Sequence, residues 1–450
     1  MRQLALLAAA LLTRPLAAQT GLTIYNDGRV LVRRTIPLSI AAGMSNHRLS
    51  LGALDPSSLF ALDSGVTVMG SSYDESVDEQ NTMRRAVGQT LKFVTGRGGA
   101  IDTIVATVIG VNPDRFKLRD GQVVFQRPGL PLYPAELVQV DPTLALSIRS
   151  PVPRTSLGLG YFTTGASWNA NYSVVLGKGV ARVSGQASIP SGTLRVADAE
   201  VQLLAGSVGR SESRGRVFAA PMALAREMAD AAQNVAEEQQ IGEAHLYTIP
   251  GRMSLEPGVT SSVALFEPSM APWERAYIVR GQIPYYGMLP QYGNDESQVP
   301  VEVWYTLKRQ AKTAFGDLPL PGGTFRLYQP DAAGRLQLIG ESGAGHTAAG
   351  RDVRLAAGSA FDITAKRVQV TYTTRRDSTR TIATADFKVT ITSAKDSVTS
   401  VEVLEERYGE WAVLSSSIPA EKLSSTRTRF RVRVPAKGEA VLSYRVRVVW

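Results

Sequence analysis

The stretch "TRTRFRVRVPAKGEAVLSYRVRV" (residues 426–448) alternates charge with hydrocarbon almost step by step. Arg427, Arg429, Arg431 and Arg433 interleave with Thr428, Phe430, Val432 and Val434. After "PAKG", Arg445 and Arg447 interleave with Leu442, Tyr444 and Val446. A period of two belongs to a β-strand, whose successive side chains point to opposite faces. Two strands are therefore expected here, each with an apolar and a basic side. Read as a hairpin with both apolar sets on one core, the register gathers all six arginines on the opposite face. Guanidinium groups match phosphate and carboxylate oxygens, so these six are candidate binding residues for an anionic polymer. The structural alternative is a charge ladder, because Glu402, Glu405, Glu406 and Glu410 lie just upstream on what would be a neighbouring strand.

The same alternation recurs through most of the chain, in "TLALSIRS", "NYSVVLG", "GQASIP", "EVQLLAG", "VEVWYTLKRQ" and "RVQVTYTT". Strand follows strand with turn residues between, which predicts a mainly β protein built as one β-sandwich domain or two in tandem over residues 142–450. In "LTIYNDGRVLVRRTIPL", Asp27-Gly28 marks a hairpin turn. In "LPLPGGTFRLYQPDAAGRLQLIGE" (318–341), Gly322-Gly323 is followed by a strand and lacks the lysine and helix of a phosphate loop. Asp331 and Gly334 suit a turn, so this too is expected to be a hairpin.

Two segments depart from the strand pattern. Residues 20–87 are an N-terminal β segment ending in a short helix between Asp74 and Val87, with Asp74, Glu75, Asp78 and Glu79 early, Arg84 and Arg85 late, and Gly88 closing. The spaced carboxylates of a calcium loop are absent. "PMALAREMADAAQNVAEEQQIGEA" puts Leu224, Met228, Ala232 and Val235 on one face, predicting a helical excursion over about 221–242. Between them, five short β-rich runs in residues 88–141 ("QTLKFVT", "IDTIVATVIGV", "RFKLRD", "QVVFQ", "AELVQV") predict a small inserted β-barrel of SH3 or OB type. It lacks the interleaved surface aromatics and bases of a nucleic-acid binder, so a structural insert is expected.

The 450 residues are 44% hydrophobic and 20% charged, an ordinary globular composition. Residues 1–19, "MRQLALLAAALLTRPLAAQ", have the basic start, short apolar run and small-residue end of a secretory signal, which predicts a periplasmic or secreted protein. No later run is long and apolar enough for a membrane helix. Without Arg2 and Arg14 the formal charge falls from +9 to about +7, which favours anionic partners. There is no cysteine, so no disulfide, thiol nucleophile or thiolate metal site. His47, His245 and His346 are far apart in sequence, and neither a metal nor a cofactor is expected. No G-x-S-x-G elbow accompanies the serines, and no catalytic residue is assigned. Asp198 and Glu200, two apart on one strand face, are the sole carboxylate pair considered for hydrolysis of a polysaccharide.

Six motifs in order, "YNDGRVLVRRTIPL", "YFTTGASWNANYSVVL", "SGTLRVADAEVQLLAGSV", "LPLPGGTFRLYQPDAAGRLQLIGES", "AGSAFDITAKR" and "VLSYRVRVVW", resemble the bacterial mucoidy-inhibitor-like family, whose C-terminal domain has no assigned function. The resemblance runs from about Leu22 to Trp450, in a short form without the family's long coiled coil. It implies an exported β-rich protein and supplies no catalytic residues. The expectation is thus a cell-envelope protein that binds or scaffolds through β surfaces, with an anionic envelope polymer or another envelope protein as partner and nucleic acid excluded. Two alternatives stand beside it. One is a carbohydrate-active hydrolase using paired carboxylates. The other is an outer-membrane β-barrel, because Leu442, Tyr444, Val446, Val448 and Trp450 share one face.

Overall fold

The computed structural model describes residues 19–97, 100–206, 236–281, 288–292, 296–377 and 379–450. The leader expected at 1–19 lies, apart from Gln19, outside the described residues. Those described are mainly β, with two short α-helices, Glu79–Arg85 and Ala314–Asp317. Among them no helix is long and apolar enough to cross a membrane.

Two compact units emerge. The first holds the described residues up to Trp168 with Pro190–Leu204 and Gly251–Ser261; the second holds those of Asn169–Ile189, Ala205–Pro250 and Ser262–Trp450. The second unit therefore begins at Asn169 rather than at 142. The reason is pairing: Thr143–Ser150 lies between Gly43–Ser50 and Thr67–Asp74, and Arg154–Thr163 lies against Val30–Ile40.

In the first unit the Asp27-Gly28 hairpin forms as expected, with Ile24 opposite Val30 and Gly28 at φ 86°. Its first strand, Thr20–Tyr25, also pairs in parallel with Val196–Ala205. The short helix runs from Glu79 to Arg85, capped by Asp78, whose side chain accepts from the Asn81 N–H. Asp74 and Glu75 fall before the helix, because Asp74 still belongs to a strand. In the insert, Leu130–Leu132, Thr90–Arg97, Ala100–Gly110, Arg115–Leu118 and Val123–Val124 pair in that order as an antiparallel sheet. Its core joins Met83 of the helix to Leu91, Phe93, Val108 and Phe116. "AELVQV" is not its fifth strand: Ala135–Leu137 is a 3-10 turn, and Leu130–Leu132 takes the edge, where Pro131 needs no donor.

The second unit contains a β-sandwich. One sheet orders Ser297–Val299, Ile363–Asp377, Arg380–Ser393, Glu439–Val449 and Glu410–Ser416. Facing it is part of a ten-stranded sheet in which Val259–Arg280, Thr399–Glu406, Arg427–Val434 and Ala420–Lys422 are successive neighbours. Val401, Val403, Phe430, Val432 and Val434 from this sheet meet Phe387, Val389, Leu442, Val446 and Val448 from the other in one buried core. Each such side chain contributes roughly 1.5–3 kcal/mol by leaving water. The predicted hairpin of residues 318–341 is present, with Pro330 opposite Leu336 and Asp331 Oδ1 accepting from the Ala333 and Arg335 N–H groups at 2.9 Å each. The helical excursion is corrected in its last part. Glu237–Ile241 is a strand, and Gly242 at φ 60° turns it back, setting Ile241 opposite Ala244; Gly242 serves a hairpin instead of a helix end. Residues 221–235 of that excursion lie outside the described residues.

Candidate functional site

The six arginines are not on one face. Arg427–Val434 and Glu439–Val449 make no hydrogen-bonded pairing with each other; they belong to the two opposing sheets. Pro435, which has no N–H to extend a ladder, begins the loop that carries the chain across the sandwich, and Lys437 turns it at φ 46°. Both apolar rows then point inward at the same core, so the two basic rows point outward from opposite sides. Alternation was read correctly along each strand; the connection between the strands was not a hairpin.

On the ten-stranded sheet the arginines meet a ladder of acids. Glu402 is opposite Arg431 and Glu406 is opposite Arg427. Arg429 donates through Nη1 to Glu402 (3.1 Å) and through Nη2 to Glu421 (2.8 Å), and Arg431 lies 3.5 Å from Glu421. Arg427 and Arg433 are exposed at the ends of this row. On the outer face of the five-stranded sheet the balance differs. Arg445 forms a bidentate pair with Asp386 (2.7 and 2.8 Å), and this hydrogen bonding holds the Asp386 carboxyl below its usual range. Exposed Arg447 and Lys388 have no carboxylate partner among the described residues. Where a bulge between Val413 and Ser415 distorts the edge strand, Lys388 lines an open groove of about 470 Å3 together with Val370, Asp386, Ser415, Ser416 and Ser443; Arg447, opposite Thr384, follows two residues along the strand from Arg445, the partner of Asp386.

A second charged group lies inside the sandwich, and the sequence reading missed it. Glu405 is fully buried, with Arg407, Arg367 and Tyr444 almost as hidden. The carboxylate accepts from Arg367 Nη2 (2.8 Å), Arg407 Nη2 (3.0 Å) and the Tyr444 hydroxyl. Arg367 stacks over the Phe387 ring at 4.1 Å, with Arg407 at 5.6 Å from the same ring. Glu405 is thus no outer ladder residue. The signal was its phase: Val401, Val403 and Glu405 share the inward parity of one strand, which Arg407 continues just past the strand's end, as Ile363, Ala365, Arg367 and Gln369 do on another. Burial alone lowers the Arg367 pKa, but Glu405 and Tyr444 override it and raise the group above its ordinary value. Segment 288–292 closes over this end. Its Tyr292 N–H donates to Gln369 Oε1 (2.7 Å), and Tyr372 donates to the Leu289 carbonyl (2.9 Å).

The remaining candidates sit apart. Asp198 and Glu200 are exposed; Asp198, at φ 47°, pairs with Arg252 at 3.0 Å. His47 contacts Ser45, His245 contacts Glu238, and His346 Nδ1 accepts from the Gly322 N–H. Among the described residues no three His, Asp or Glu side chains gather as metal ligands. The Pro-Gly-Gly corner is held by its own chain: Tyr172 and Tyr247 donate to the Pro321 and Pro319 carbonyls, and buried Arg309 donates to those of Phe315, Gly316, Leu318 and Ala348. The apolar row Leu442, Tyr444, Val446 and Val448 faces the sandwich core. No family model matches the chain, and no curated protein matches it.

Proposed function

We propose that this is an exported cell-envelope protein that binds an anionic envelope polymer through the outer face of its five-stranded C-terminal sheet, without chemistry of its own. The observation that carries this reading is the exposed Lys388 and Arg447, lacking carboxylate partners among the described residues, beside the hydroxyl-rich groove of Ser415, Ser416 and Ser443. Cations supply attraction to carboxylate or sulfate groups, and hydroxyls supply hydrogen bonds to sugar oxygens. On the other sheet Arg429 and Arg431, at the middle of the row, are matched by Glu402 and Glu421, and only the row's ends, Arg427 and Arg433, lack an ion pair among the described residues, which makes it the weaker candidate. The leader-like residues 1–19 and the resemblance to the mucoidy-inhibitor-like family support an envelope location. Retention on an acidic polysaccharide matrix across a salt gradient tests it. The double substitution Lys388→Gln with Arg447→Gln should lower the eluting salt, whereas Arg429→Gln with Arg431→Gln, at residues already paired with carboxylates, should not. Equal elution of all three proteins refutes the assignment.

A further inference from the structure

Among the described residues the interior cluster is out of charge balance. Arg367 and Arg407 bring two guanidinium groups to one carboxylate, Glu405. The nearby phenols supply no second negative charge. Burial above all, followed by the Glu405 carboxylate, holds Tyr444 protonated far above its ordinary range, and burial raises Tyr292 against the pull of both arginines. The hydrogen bonds are equally short of acceptors: Arg367 Nε, Arg407 Nε and Arg407 Nη1 are buried and meet none among the described residues. A buried cation is ordinarily paired, and a buried N–H is ordinarily bonded. Arg407 is also the last buried residue before the turn Tyr408–Gly409, where Tyr408 is half exposed. On the other side the cluster is walled by backbone, since a side chain at Gly281 would be driven into the Glu405 carboxylate.

We propose that Arg407, backed by Arg367, is a binding site for an oxyanion (a carboxylate, sulfate or phosphate group) at the end of the sandwich under segment 288–292. One singly charged group restores neutrality to two guanidiniums and one carboxylate, a doubly charged one leaves the set at −1 where it was +1, and either supplies acceptors for N–H groups that have none among the described residues. The site is independent of the surface groove. It takes a single anionic group rather than a length of polymer backbone.

The test is thermal unfolding of the full chain with low millimolar sulfate, phosphate or acetate against sodium chloride at matched ionic strength, and with an acidic oligosaccharide in a separate arm. At about ten times Kd, one bound anion raises the folding equilibrium constant roughly elevenfold. Saturable stabilisation by the free ions identifies a solute site; stabilisation by the oligosaccharide alone identifies a site for a group carried on a ligand. Either should vanish in Arg407→Met and survive in Arg431→Gln, which separates it from the general salting-out effect of sulfate. Should Arg407→Met fail to fold, the arginine Nε–H resonances of the wild-type protein serve instead, and those of Arg367 and Arg407 should shift on titration. Identical anion dependence in wild type and Arg407→Met, or resonances that do not move, overturns the proposal.

Discussion

Replacing Glu405 with Gln keeps the shape of the side chain and removes the charge that two buried guanidiniums share. Glu405 accepts three hydrogen bonds, two of them from cations at 2.8 and 3.0 Å. Hydrogen bonds to charged groups contribute about 1.5–3 kcal/mol each, and Gln keeps an oxygen that can accept part of them. Breaking a buried ion pair from one side costs about 3–5 kcal/mol, because the surviving charge stays buried. With two arginines left unmatched, the loss should lie near the top, at about 4–5 kcal/mol. Arg407→Met should behave differently. It leaves Arg367, Glu405 and Tyr444 as a balanced set, so in chloride buffer it should cost about 1 kcal/mol or less. Urea unfolding followed by tryptophan fluorescence measures both. The reasoning is refuted if Glu405→Gln stays within about 1 kcal/mol of wild type, or if the two substitutions cost the same.

Three further outcomes follow from the same unit. Gly281→Ala pushes a methyl group into the Glu405 carboxylate and should lower stability by about 1–3 kcal/mol in the same urea assay, whereas Gly409→Ala, with open space around it, is penalised only by its φ of 82°. The Asp386 carboxyl titrates lower in the folded state than in the unfolded chain, through its bond to Arg445. Its contribution is therefore present above the unfolded pKa and lost as pH falls through the folded value, and Asp386→Asn should flatten the acid limb of a stability–pH profile. Arg429→Gln, which unpairs partly exposed Glu402 and leaves Glu421 with Arg431 alone, should cost about 1 kcal/mol or less at low salt and nothing measurable at high salt, without altering elution from the acidic matrix.

Local chemistry was legible where one residue dictates its own backbone. Asp27-Gly28 and Asp331 with Gly334 specify turns whatever surrounds them; the acid-first, base-last pattern gave the short helix but not its start, since four early acids left open which one caps it. Alternation gave the inward and outward residues of Arg427–Val434 and Glu439–Val449 without error. What could not be read was which strand pairs with which. A loop such as Pro435–Gly438 can close a hairpin or cross between sheets, and the alternation is identical in both cases. The interior cluster was hidden for another reason. Charge was taken as a sign of exposure, and that overrode the phase of Glu405, which its own strand had set inward. "AELVQV" failed because an apolar run of that length says nothing about the pairing partner it would need.

The crossing at Pro435–Gly438 also bears on how the sandwich can be assembled. Glu439–Val449 is an interior strand of its sheet, yet it has no hydrogen-bonded partner nearby in sequence: Tyr444 pairs with Ser416, and Val449 with Ile382. No turn can zip it into place, so closure must await encounters across long spans of chain, the regime in which β topologies form slowly. Until that strand arrives, Arg380–Ser393 and Glu410–Ser416 each present a bare edge to other chains. Cutting the chain at Pro435 should therefore split this sheet rather than trim it, leaving a product that self-associates through those two edges.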